Sequence, residues 1–308
     1  MQIVKLPSSK PLQTAVFVLK KTRMEGIYMK RHSKQNRARS SSKISPNFTG
    51  QHLLHNPKTI KRLIEVARLK SNDMILEIGA GKGGLTFPIG EQVRKVIAVE
   101  IDAAYAQALK SKVIASERSH ISIVHADIRT YCLPTSSFSV VANIPFSITT
   151  PILERLLGAE GRALQKATLI VEKGAAKRFT QKTTFDSRLL MWKMFFTFKL
   201  ESVIPRTDFA PPPRVDAAIM IIKRRETALI PMQEAKRFVA FAAYVLRGYK
   251  APVSEVLRGI FTPAQLKIVL AQAGLHREHI VVDMELHQWG TLFHAMLKHV
   301  PAHRWPRN

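Results

Sequence analysis

A short apolar strand that runs directly into a glycine-rich turn constrains the fold of this chain more than any other segment. Residues 74–78 form an almost wholly apolar run, and Gly79, Gly81 and Gly84 follow with the spacing G-x-G-x-x-G. Glycines let the backbone approach a ligand closely, and the amides that begin a helix, predicted here at residues 85–92, favour polar groups. The pattern predicts a ligand-binding turn between a strand and a helix, with a plain strand-to-helix turn as the alternative.

Further apolar strand candidates recur along the chain and are mostly separated by helical stretches. After residues 74–78, they are residues 96–99, 121–124, 139–142 and 167–171, and two more at 200–205 and 217–222 close the edge. Strands and helices that alternate in this way predict an α/β fold with an open, mainly parallel sheet. The proline-rich residues 209–215 lie between the last two strands and are predicted to form a loop, because proline cannot donate to a sheet ladder.

The chain divides into three predicted parts. Residues 1–45 carry eleven Lys and Arg against one acidic residue, so we expect a basic and largely disordered extension. Residues 46–225 hold the strands, preceded by a helix capped at Asn56. Residues 226–308 are predicted to form a small all-α domain, with helices at residues 234–246, 263–273 and 285–299.

The basic extension has one candidate role. Its cations are predicted to contact phosphates, and the candidates are Lys30, Arg31, Lys34, Arg37 and Arg39. A tail that only increases solubility is the alternative. Met1, Met24 and Met29 all stay open as the first residue of the protein.

The charge balance of the chain favours a polyanionic partner. Its 308 residues include 48 Lys and Arg against 22 Asp and Glu, a formal charge of +26, which exceeds that of an ordinary solvated surface. A basic membrane-surface protein is the competing class, but no segment approaches the roughly 18–20 apolar residues that span a bilayer. The single cysteine, Cys132, excludes an intrachain disulfide framework and fits a reducing cytoplasm. We therefore predict a cytoplasmic protein that binds nucleic acid and not a membrane.

Acidic residues stand near the predicted carboxyl ends of three strands, where open α/β sheets bind ligands. Glu100 ends the strand after the glycine turn and can accept both hydroxyls of a ribose, which suits a nicotinamide dinucleotide or S-adenosylmethionine. Glu77, two residues before Gly79, can position an amino-acid moiety, which a dinucleotide lacks. Asp127 can accept an adenine amine. Together these residues favour S-adenosylmethionine as the cofactor.

The tetrapeptide Asn143, Ile144, Pro145, Phe146 follows the fourth strand and is the predicted catalytic segment. The Asn143 side-chain oxygen and the Ile144 carbonyl can accept the protons of an exocyclic amine, and Pro145 keeps that carbonyl out of the sheet. The Phe146 ring can stack on the base that carries the amine. A capped turn with a buried phenylalanine is the structural alternative.

With these segments in order, residues 45–222 resemble the rRNA adenine-N6 methyltransferases, and within them the Erm group. The matching stretches are residues 45–52, 76–83, 99–102, 127–128, 143–146, 172–179 and 209–216, and in the helical tail 257–263 and 288–289. The resemblance implies a Rossmann-like class I methyltransferase domain followed by a small helical domain. The chain departs from the family at Pro46, where Gln is usual, and at Phe146, where many relatives carry Tyr.

The resemblance also implies a donor site for S-adenosylmethionine. Its predicted members are Asn47, Thr49, Gly79, Glu100, Asp127 and Asn143, to which the glycine turn adds Glu77 and Gly81. The implied reaction is methylation of one adenine in 23S rRNA near the entrance of the peptide exit tunnel. In the Erm group this modification blocks macrolide, lincosamide and streptogramin B binding.

Two other functions compete with this one. A small-subunit rRNA dimethylase of the same superfamily shares the motifs, and a non-catalytic RNA-binding assembly factor shares the charge. The complete donor motifs argue against the assembly factor, since a binder has no need of a donor pocket.

Several further expectations concern partners. Lys173, Lys177 and Arg178 are predicted RNA phosphate contacts, with ordinary solvated helix charge as the alternative. No histidine pair shows zinc-like spacing, so we expect no metal. We also expect a monomer that acts on 23S rRNA before the large subunit is fully assembled.

Overall fold

A seven-stranded, mainly parallel sheet forms the centre of the computed structural model, which describes residues 52–307. The nine strands of the described chain are β1 (Leu53–Leu54), β2 (Met74–Ile78), β3 (Lys95–Glu100), β4 (Ile121–His125), β5 (Phe138–Asn143), β6 (Leu164–Glu172), β7 (Phe196–Ile204), β8 (Phe209–Ala210) and β9 (Ala217–Arg224). The large sheet has the order β4-β3-β2-β5-β6-β9-β7. Its first five strands are parallel, and β9 pairs antiparallel with both β6 and β7. The predicted α/β fold and mainly parallel sheet are confirmed.

Ten helices are present among residues 52–307. They are α1 (Pro57–Ala67), α2 (Thr86–Gly90), α3 (Ala103–Ala115), α4 (Thr149–Leu157), α5 (Lys173–Thr180), α6 (Ser187–Phe195), α7 (Ala235–Leu246), α8 (Val253–Leu257), α9 (Pro263–Gln272) and α10 (Leu286–His299). The predicted cap of α1 is confirmed, because the Asn56 side chain accepts a hydrogen bond from the Lys58 amide at 3.0 Å. None of these helices is long and apolar enough to cross a membrane.

The strand order reverses between β2 and β5, at the middle of the sheet. From β2 the chain builds outward to β3 and β4, and it then returns to add β5 and β6 on the other side. The two central strands pair at only two positions, Ile75 with Ser139 and Leu76 with Val140. The helices that follow β2 pack on one face of the sheet and the helix that follows β5 packs on the other, which leaves a crevice outside the carboxyl ends of the two strands. Such a switch point is where open α/β sheets bind ligands.

Apolar side chains fill both faces of the sheet. On one face, the strands pack against α1 and α3 through buried residues such as Leu63 and Leu109. On the other face, a larger cluster joins the strands to α4 and α6 and continues into α7 and α10 through Phe241 and Phe293. The helices after β9 therefore bury their apolar faces in the same cluster as the sheet. The predicted domain boundary at residues 225–226 stays a prediction.

The predicted loop at residues 209–215 is wrong at its first two positions. Phe209 and Ala210 form β8, which pairs antiparallel with Leu54 and Leu53 of β1 in a separate two-stranded sheet. The pairing ends where Pro211 begins a run of three prolines, since proline has no amide hydrogen to donate. Beside β8, the buried Asp208 carboxylate accepts hydrogen bonds from Asn56 at 2.9 Å and Thr59 at 2.5 Å. These contacts hold the start of α1 against the proline segment.

Candidate active site

The glycine turn lies at one wall of the central crevice, next to the end of β5. The Gly79 amide donates to the Val99 carbonyl at 2.8 Å, which pins the turn to β3. A Cβ atom built on Gly79 would stand 3.7 Å from the Asn143 carbonyl oxygen. The fold therefore brings together the two segments that the sequence singles out, the glycine turn and the tetrapeptide at residues 143–146.

Three glycines of the turn adopt left-handed backbone conformations. Gly79 has φ +74°, Gly81 φ +54° and Gly83 φ +86°, a region that side chains with a Cβ rarely enter. At Gly83 a Cβ would also approach the Leu109 side chain to 2.6 Å. The G-x-G-x-x-G spacing includes Gly84 and not Gly83, but the left-handed conformation is found at Gly83, where the turn packs on α3, and not at Gly84. The helix that follows is also shorter than predicted, Thr86–Gly90 instead of residues 85–92.

Glu100 fixes the shape of the turn from the end of β3. Its side chain is 2% exposed, and one carboxylate oxygen accepts from the Gly81 amide at 2.7 Å while the other accepts from the Asp102 amide at 2.8 Å. Because each carboxylate oxygen has two lone pairs, one acceptor site per oxygen stays available for a ligand hydroxyl. Glu100 is thus both a scaffold of the turn and a candidate ribose contact.

Glu77 is the most perturbed titratable group in the crevice. It is 1% exposed, and its Oε2 atom has no hydrogen-bond partner among the described residues. Burial raises the pKa of this carboxyl to about 8; the neighbouring Thr86 hydroxyl opposes the shift and the charge of Glu100 adds to it. The Thr86 hydroxyl itself forms no hydrogen bond of good geometry. A buried carboxyl with an unsatisfied oxygen fits a cationic ligand group, which would satisfy the oxygen and favour its ionised form.

Asp127 follows β4 and is held by its own loop. Arg129 donates to both carboxylate oxygens, through Nε at 2.9 Å and Nη2 at 2.6 Å to Oδ2 and through Nε at 3.1 Å to Oδ1. These hydrogen bonds are the main cause of the lowered pKa of Asp127. An adenine amine must therefore share this carboxylate with Arg129.

Arg155, on α4, was not singled out by the sequence, yet it supports the Asp127 loop. Its guanidinium donates to the carbonyls of Ile128 and, at 2.8 Å, Tyr131, and it pairs with Glu160. The contact spans 27 residues in sequence between Ile128 and Arg155. No local pattern in the sequence encodes such a long-range pairing, so only the fold reveals it.

The tetrapeptide presents its acceptors at the crevice. The Asn143 side-chain amide donates to the His52 carbonyl at 2.8 Å, which turns its Oδ1 atom away from that carbonyl. The Ile144 amide donates to the Ile170 carbonyl at 3.2 Å, but within residues 52–307 no donor to the Ile144 carbonyl is found. Pro145 therefore ends the ladder. Neither the Ile144 carbonyl nor the Asn143 Oδ1 atom accepts a hydrogen bond within residues 52–307, which makes them candidate acceptors, although Ile144 is only 1% exposed.

Phe146 begins a short 3₁₀ turn, Phe146–Ile148, that leads into α4. Its ring is partly buried, and the centroid lies 6.1 Å from that of the His52 ring with a tilt of 42°. Part of the ring therefore stays accessible beside the two acceptors, as a stacking surface requires.

A basic groove extends the site beyond the tetrapeptide. It has a volume of about 480 Å³, lies where β6 ends and α5 begins, and is lined by Lys173, Lys177, Arg206 and Arg214 together with Glu172 and Asp216. Lys173 pairs with Asp216 at 3.4 Å. Among the described residues, no acidic side chain pairs with Lys177, Arg206 or Arg214. The sequence did not predict Arg206 and Arg214, because both lie outside the α5 segment that carries the other cations.

The remaining predicted contacts are placed differently or lie outside the described residues. Arg178 does not line the groove; its guanidinium lies over the Phe179 ring, 4.9 Å from the centroid. Asn47 and Thr49 precede the described residues, as do the cations of the extension. Within residues 52–307, no three or more His, Cys, Asp or Glu side chains are arranged to hold a metal ion.

Comparison with known proteins gives a consistent family. Residues 43–298 match the model of the family described as ribosomal RNA adenine dimethylase. The chain is 40% identical over 263 residues to an rRNA adenine N-6-methyltransferase of Bacillus licheniformis, a match that covers 85% of this chain and 91% of the relative. A relative with the same name from Bacillus anthracis is also 40% identical over 263 residues, with the same coverage of both chains.

Two solved structures share the fold over nearly their whole length. The 23S rRNA methyltransferase ErmE superposes with a TM-score of 0.68 at 29% identity, over 79% of this chain and 98% of that one. A dimethyladenosine transferase from Plasmodium falciparum gives a TM-score of 0.67 at 21% identity, over 80% and 98% of the two chains. At that identity the second likeness concerns the fold alone.

Replacing Glu77 by glutamine is expected to flatten the pH dependence of stability of the ligand-free protein. With a pKa near 8 instead of 4.5, the folded carboxyl holds its proton more tightly than the unfolded one. The wild-type protein therefore loses stability as the pH rises through this window, by on the order of a few kcal/mol. Urea unfolding measures the free energy of unfolding of both proteins across the window. The other titrating groups contribute equally to both proteins, so their effect cancels in the difference.

Glu100→Gln provides the matched control for this experiment. Its carboxylate already accepts two backbone amides, so the substitution is expected to destabilise the protein throughout the window. Equal pH slopes for the wild type and Glu77→Gln would show that Glu77 is not buried as a neutral acid.

Proposed function

Because the chain belongs to the ribosomal RNA adenine dimethylase family of methyltransferases, we propose that it methylates the exocyclic N6 of one adenine in 23S rRNA with S-adenosylmethionine as the donor. The observation that carries this proposal is the meeting of two sites at the switch point of the sheet. The glycine turn with its carboxylates borders the crevice on one side, and Asn143 with Ile144 borders it on the other.

The residues around the turn fit S-adenosylmethionine. Glu77 offers an unsatisfied buried oxygen for the amino group of the methionine moiety, and Glu100 keeps acceptor sites for the ribose hydroxyls. Asp127 offers a carboxylate for the adenine amine. Asn47, Thr49 and Gly81 complete the proposed donor site, and Asn143 joins it to the target base.

Asn143 and Ile144 act on the target amine. The donor supplies an electrophilic methyl group, so the chain need provide no metal and no covalent intermediate. An adenine N6 is a poor nucleophile because its lone pair is delocalised into the ring. Hydrogen bonds from its two N–H groups to the Asn143 oxygen and the Ile144 carbonyl would hold the nitrogen in line and stabilise the positive charge that develops on it. The nitrogen–methyl bond forms as the sulfur–methyl bond breaks, S-adenosylhomocysteine leaves, and the methylated nitrogen then releases one proton to water. Alignment of this kind lowers a barrier by roughly 7–11 kcal/mol in favourable cases.

Pro145 and Phe146 shape the site for an unstacked base. Pro145 ends the strand and leaves the Ile144 carbonyl without a hydrogen-bond partner among residues 52–307, although Ile144 itself is buried. The Phe146 ring stacks on the target adenine, a contact worth about 1–3 kcal/mol per base. The base must leave its helical stack to reach this position, as in other enzymes that modify nucleobases.

Large-subunit RNA is the preferred target because ErmE, which is 29% identical to this chain, is a 23S rRNA methyltransferase. The proposed adenine lies near the entrance of the peptide exit tunnel, and its methylation would confer macrolide, lincosamide and streptogramin B resistance. The enzyme would act in the cytoplasm, as a monomer, on RNA that is not yet fully assembled. A small-subunit adenine is the second candidate, favoured by the dimethylase description of the family.

The basic groove provides a path for the RNA backbone. It begins at Glu172, two residues after Ile170, whose carbonyl accepts a hydrogen bond from the Ile144 amide. Lys177, Arg206 and Arg214 face it, and the first amides of α5 add a positive helix end whose N-cap, Glu172, makes no capping hydrogen bond. Phosphates that flank the target adenine fit this groove.

The purified chain is expected to transfer radiolabelled methyl groups from S-adenosylmethionine to protein-free 23S rRNA and not to 16S rRNA. Primer extension on the product should stop at one adenine near the tunnel entrance. Label on 16S rRNA alone would support the small-subunit candidate, and no label on either RNA would contradict the enzymatic function.

Asn143→Ala is expected to lower the methyl-transfer rate by about 100-fold or more, since it removes one of two acceptors for the developing charge. Phe146→Ala is expected to weaken use of the RNA, whereas Phe146→Tyr keeps the ring and should stay active. Single-turnover rates measure these effects, with donor affinity determined separately by calorimetry. Near-wild-type rates for both alanine variants would refute the assigned roles.

Substitution of Lys177, Arg206 and Arg214 by glutamine is expected to weaken RNA binding and to flatten its dependence on salt. Each lost phosphate contact should reduce the slope of log affinity against log salt by about 0.7–0.9. Lys110→Gln with Lys112→Gln, at exposed positions of α3, and Lys95→Gln, at the exposed first residue of β3, also remove three charges and are the matched control for net charge. An equal change of slope in the control would assign the effect to overall charge and not to the groove.

A further inference from the structure

Two aromatic rings meet on the surface at a point that the proposed reaction does not use. Phe185 is 61% exposed and Tyr249 36% exposed. Their centroids are 4.9 Å apart, and the rings meet edge to face at 69°. A single exposed apolar side chain needs no explanation, but two large rings in edge-to-face contact expose an aromatic surface to solvent.

The packing of α6 against α7 brings these rings together from distant parts of the chain. Phe185 precedes α6 by two residues and Tyr249 follows α7 by three. At the other end of the pair, the Leu229 amide donates to the Met194 carbonyl at 3.0 Å. The two helices therefore run antiparallel, and the aromatic pair stands where α6 begins and α7 ends.

The backbone on both sides of the pair is anchored. Asp186, next to Phe185, caps α6 by accepting from the Arg188 and Leu189 amides at 2.9 and 3.2 Å. The Tyr249 amide donates to the Leu246 carbonyl at 3.2 Å, and its carbonyl accepts from the Val282 amide at 3.0 Å. The rings are therefore presented by a fixed scaffold, which reduces the entropy lost when a ligand stacks on them.

Both cations and carboxylates border the pair. The Lys250 ammonium lies 5.4 Å from the Tyr249 ring centroid, and Arg247 is exposed nearby on the same turn. Lys182, on the Phe185 side, is 85% exposed and pairs at 3.7 Å with Glu285. Of the other carboxylates, Asp186 is engaged by the α6 amides, and Asp283 is exposed one residue after Val282. Lys250 and Arg247 form no ion pair among the described residues, so these two cations can meet the phosphate of a ligand whose flat ring stacks on the pair.

The pair is connected to the catalytic segment through α4. Arg188 in the first turn of α6 forms an ion pair with Glu154 of α4, and α4 begins directly after the turn that starts at Phe146. Glu154 lies eight residues after Phe146, which corresponds to about 12 Å along a helix. The path to Phe185 continues through the two paired side chains and the three residues from Arg188 back to Phe185, so several unpaired nucleotides are needed to reach from one ring to the other.

We propose that Phe185 and Tyr249 form a stacking site for an unpaired base of the RNA substrate, distinct from the adenine that stacks on Phe146. Unpaired bases in RNA loops and bulges are recognised mainly by stacking on aromatic side chains, with nearby cations holding the phosphate. This site would select RNA whose target adenine has an unpaired neighbour at the right distance. The inference rests on the proposed RNA methyltransferase function.

The test measures the affinity of the full chain for a 23S-derived hairpin with unpaired nucleotides around the target adenine, and for a fully paired duplex of equal length. Phe185→Ala and Tyr249→Ala are each expected to weaken hairpin binding about 10-fold and to leave duplex binding unchanged. The salt dependence should not change, because no cation is removed. In methyl transfer, the KM for the hairpin should rise while kcat stays near the wild-type value.

Three controls separate stacking from other causes. Phe185→Trp keeps an aromatic face and should bind like the wild type, whereas Phe185→Leu keeps an apolar side chain and should lose as much affinity as Phe185→Ala. Ile114→Ala removes another side chain, 77% exposed, on α3 and should have no effect. Wild-type binding by Phe185→Ala, or full binding by Phe185→Leu, would overturn the stacking site.

A series of hairpins, each with one different base removed, identifies the nucleotide that stacks on the aromatic pair. Removal of that base should weaken binding of the wild type but not of Phe185→Ala, and equal losses at every position in both proteins would count against the proposal. If the wild type methylates no RNA, the proposed function fails, and the comparison of hairpin with duplex binding still decides whether the aromatic pair stacks.

Discussion

The reversal of strand order between β2 and β5 is the constraint on which the rest of the site depends. The helices that follow these two strands pack on opposite faces of the sheet, so the carboxyl ends of β2 and β5 border a crevice. The glycine turn follows β2 and Asn143 ends β5, so the two segments meet there. Their contact is close, because a Cβ atom built on Gly79 would stand 3.7 Å from the Asn143 carbonyl oxygen.

Most of the sheet could be predicted from sequence, and the reason lies in its burial. Parallel strands covered on both faces are near-continuous apolar runs, which is why residues 74–78 were predicted at the correct bounds and the other strands within a few residues. The short strand β8 could not be predicted, because its two residues owe their conformation to a partner at Leu53 and Leu54. The prediction of a loop, based on the three prolines, is correct for the rest of that segment.

The candidate site was less visible in the sequence than the fold. The spacing of Gly79 and Gly81 predicted where the backbone turns, but it did not single out Gly83, which is also left-handed and has no room for a Cβ beside Leu109 of α3. Arg155, Arg206 and Arg214 carry no local signal, since their roles depend on segments far away in the chain. Sequence patterns specify what a segment prefers by itself, whereas these residues act only through tertiary contacts.

Arg155 connects the loop that presents Asp127 to the turn that begins at Phe146. It lies on α4, the helix that continues from Phe146, and it holds two carbonyls of the loop that presents Asp127. A displacement of that loop therefore moves α4, and a displacement of α4 moves the turn at Phe146. Methyl transfer needs the donor and the amine in one line, and small misplacements are costly to the rate. The hydrogen bonds from this one arginine to two carbonyls therefore fix the position of the Asp127 loop relative to the turn at Phe146.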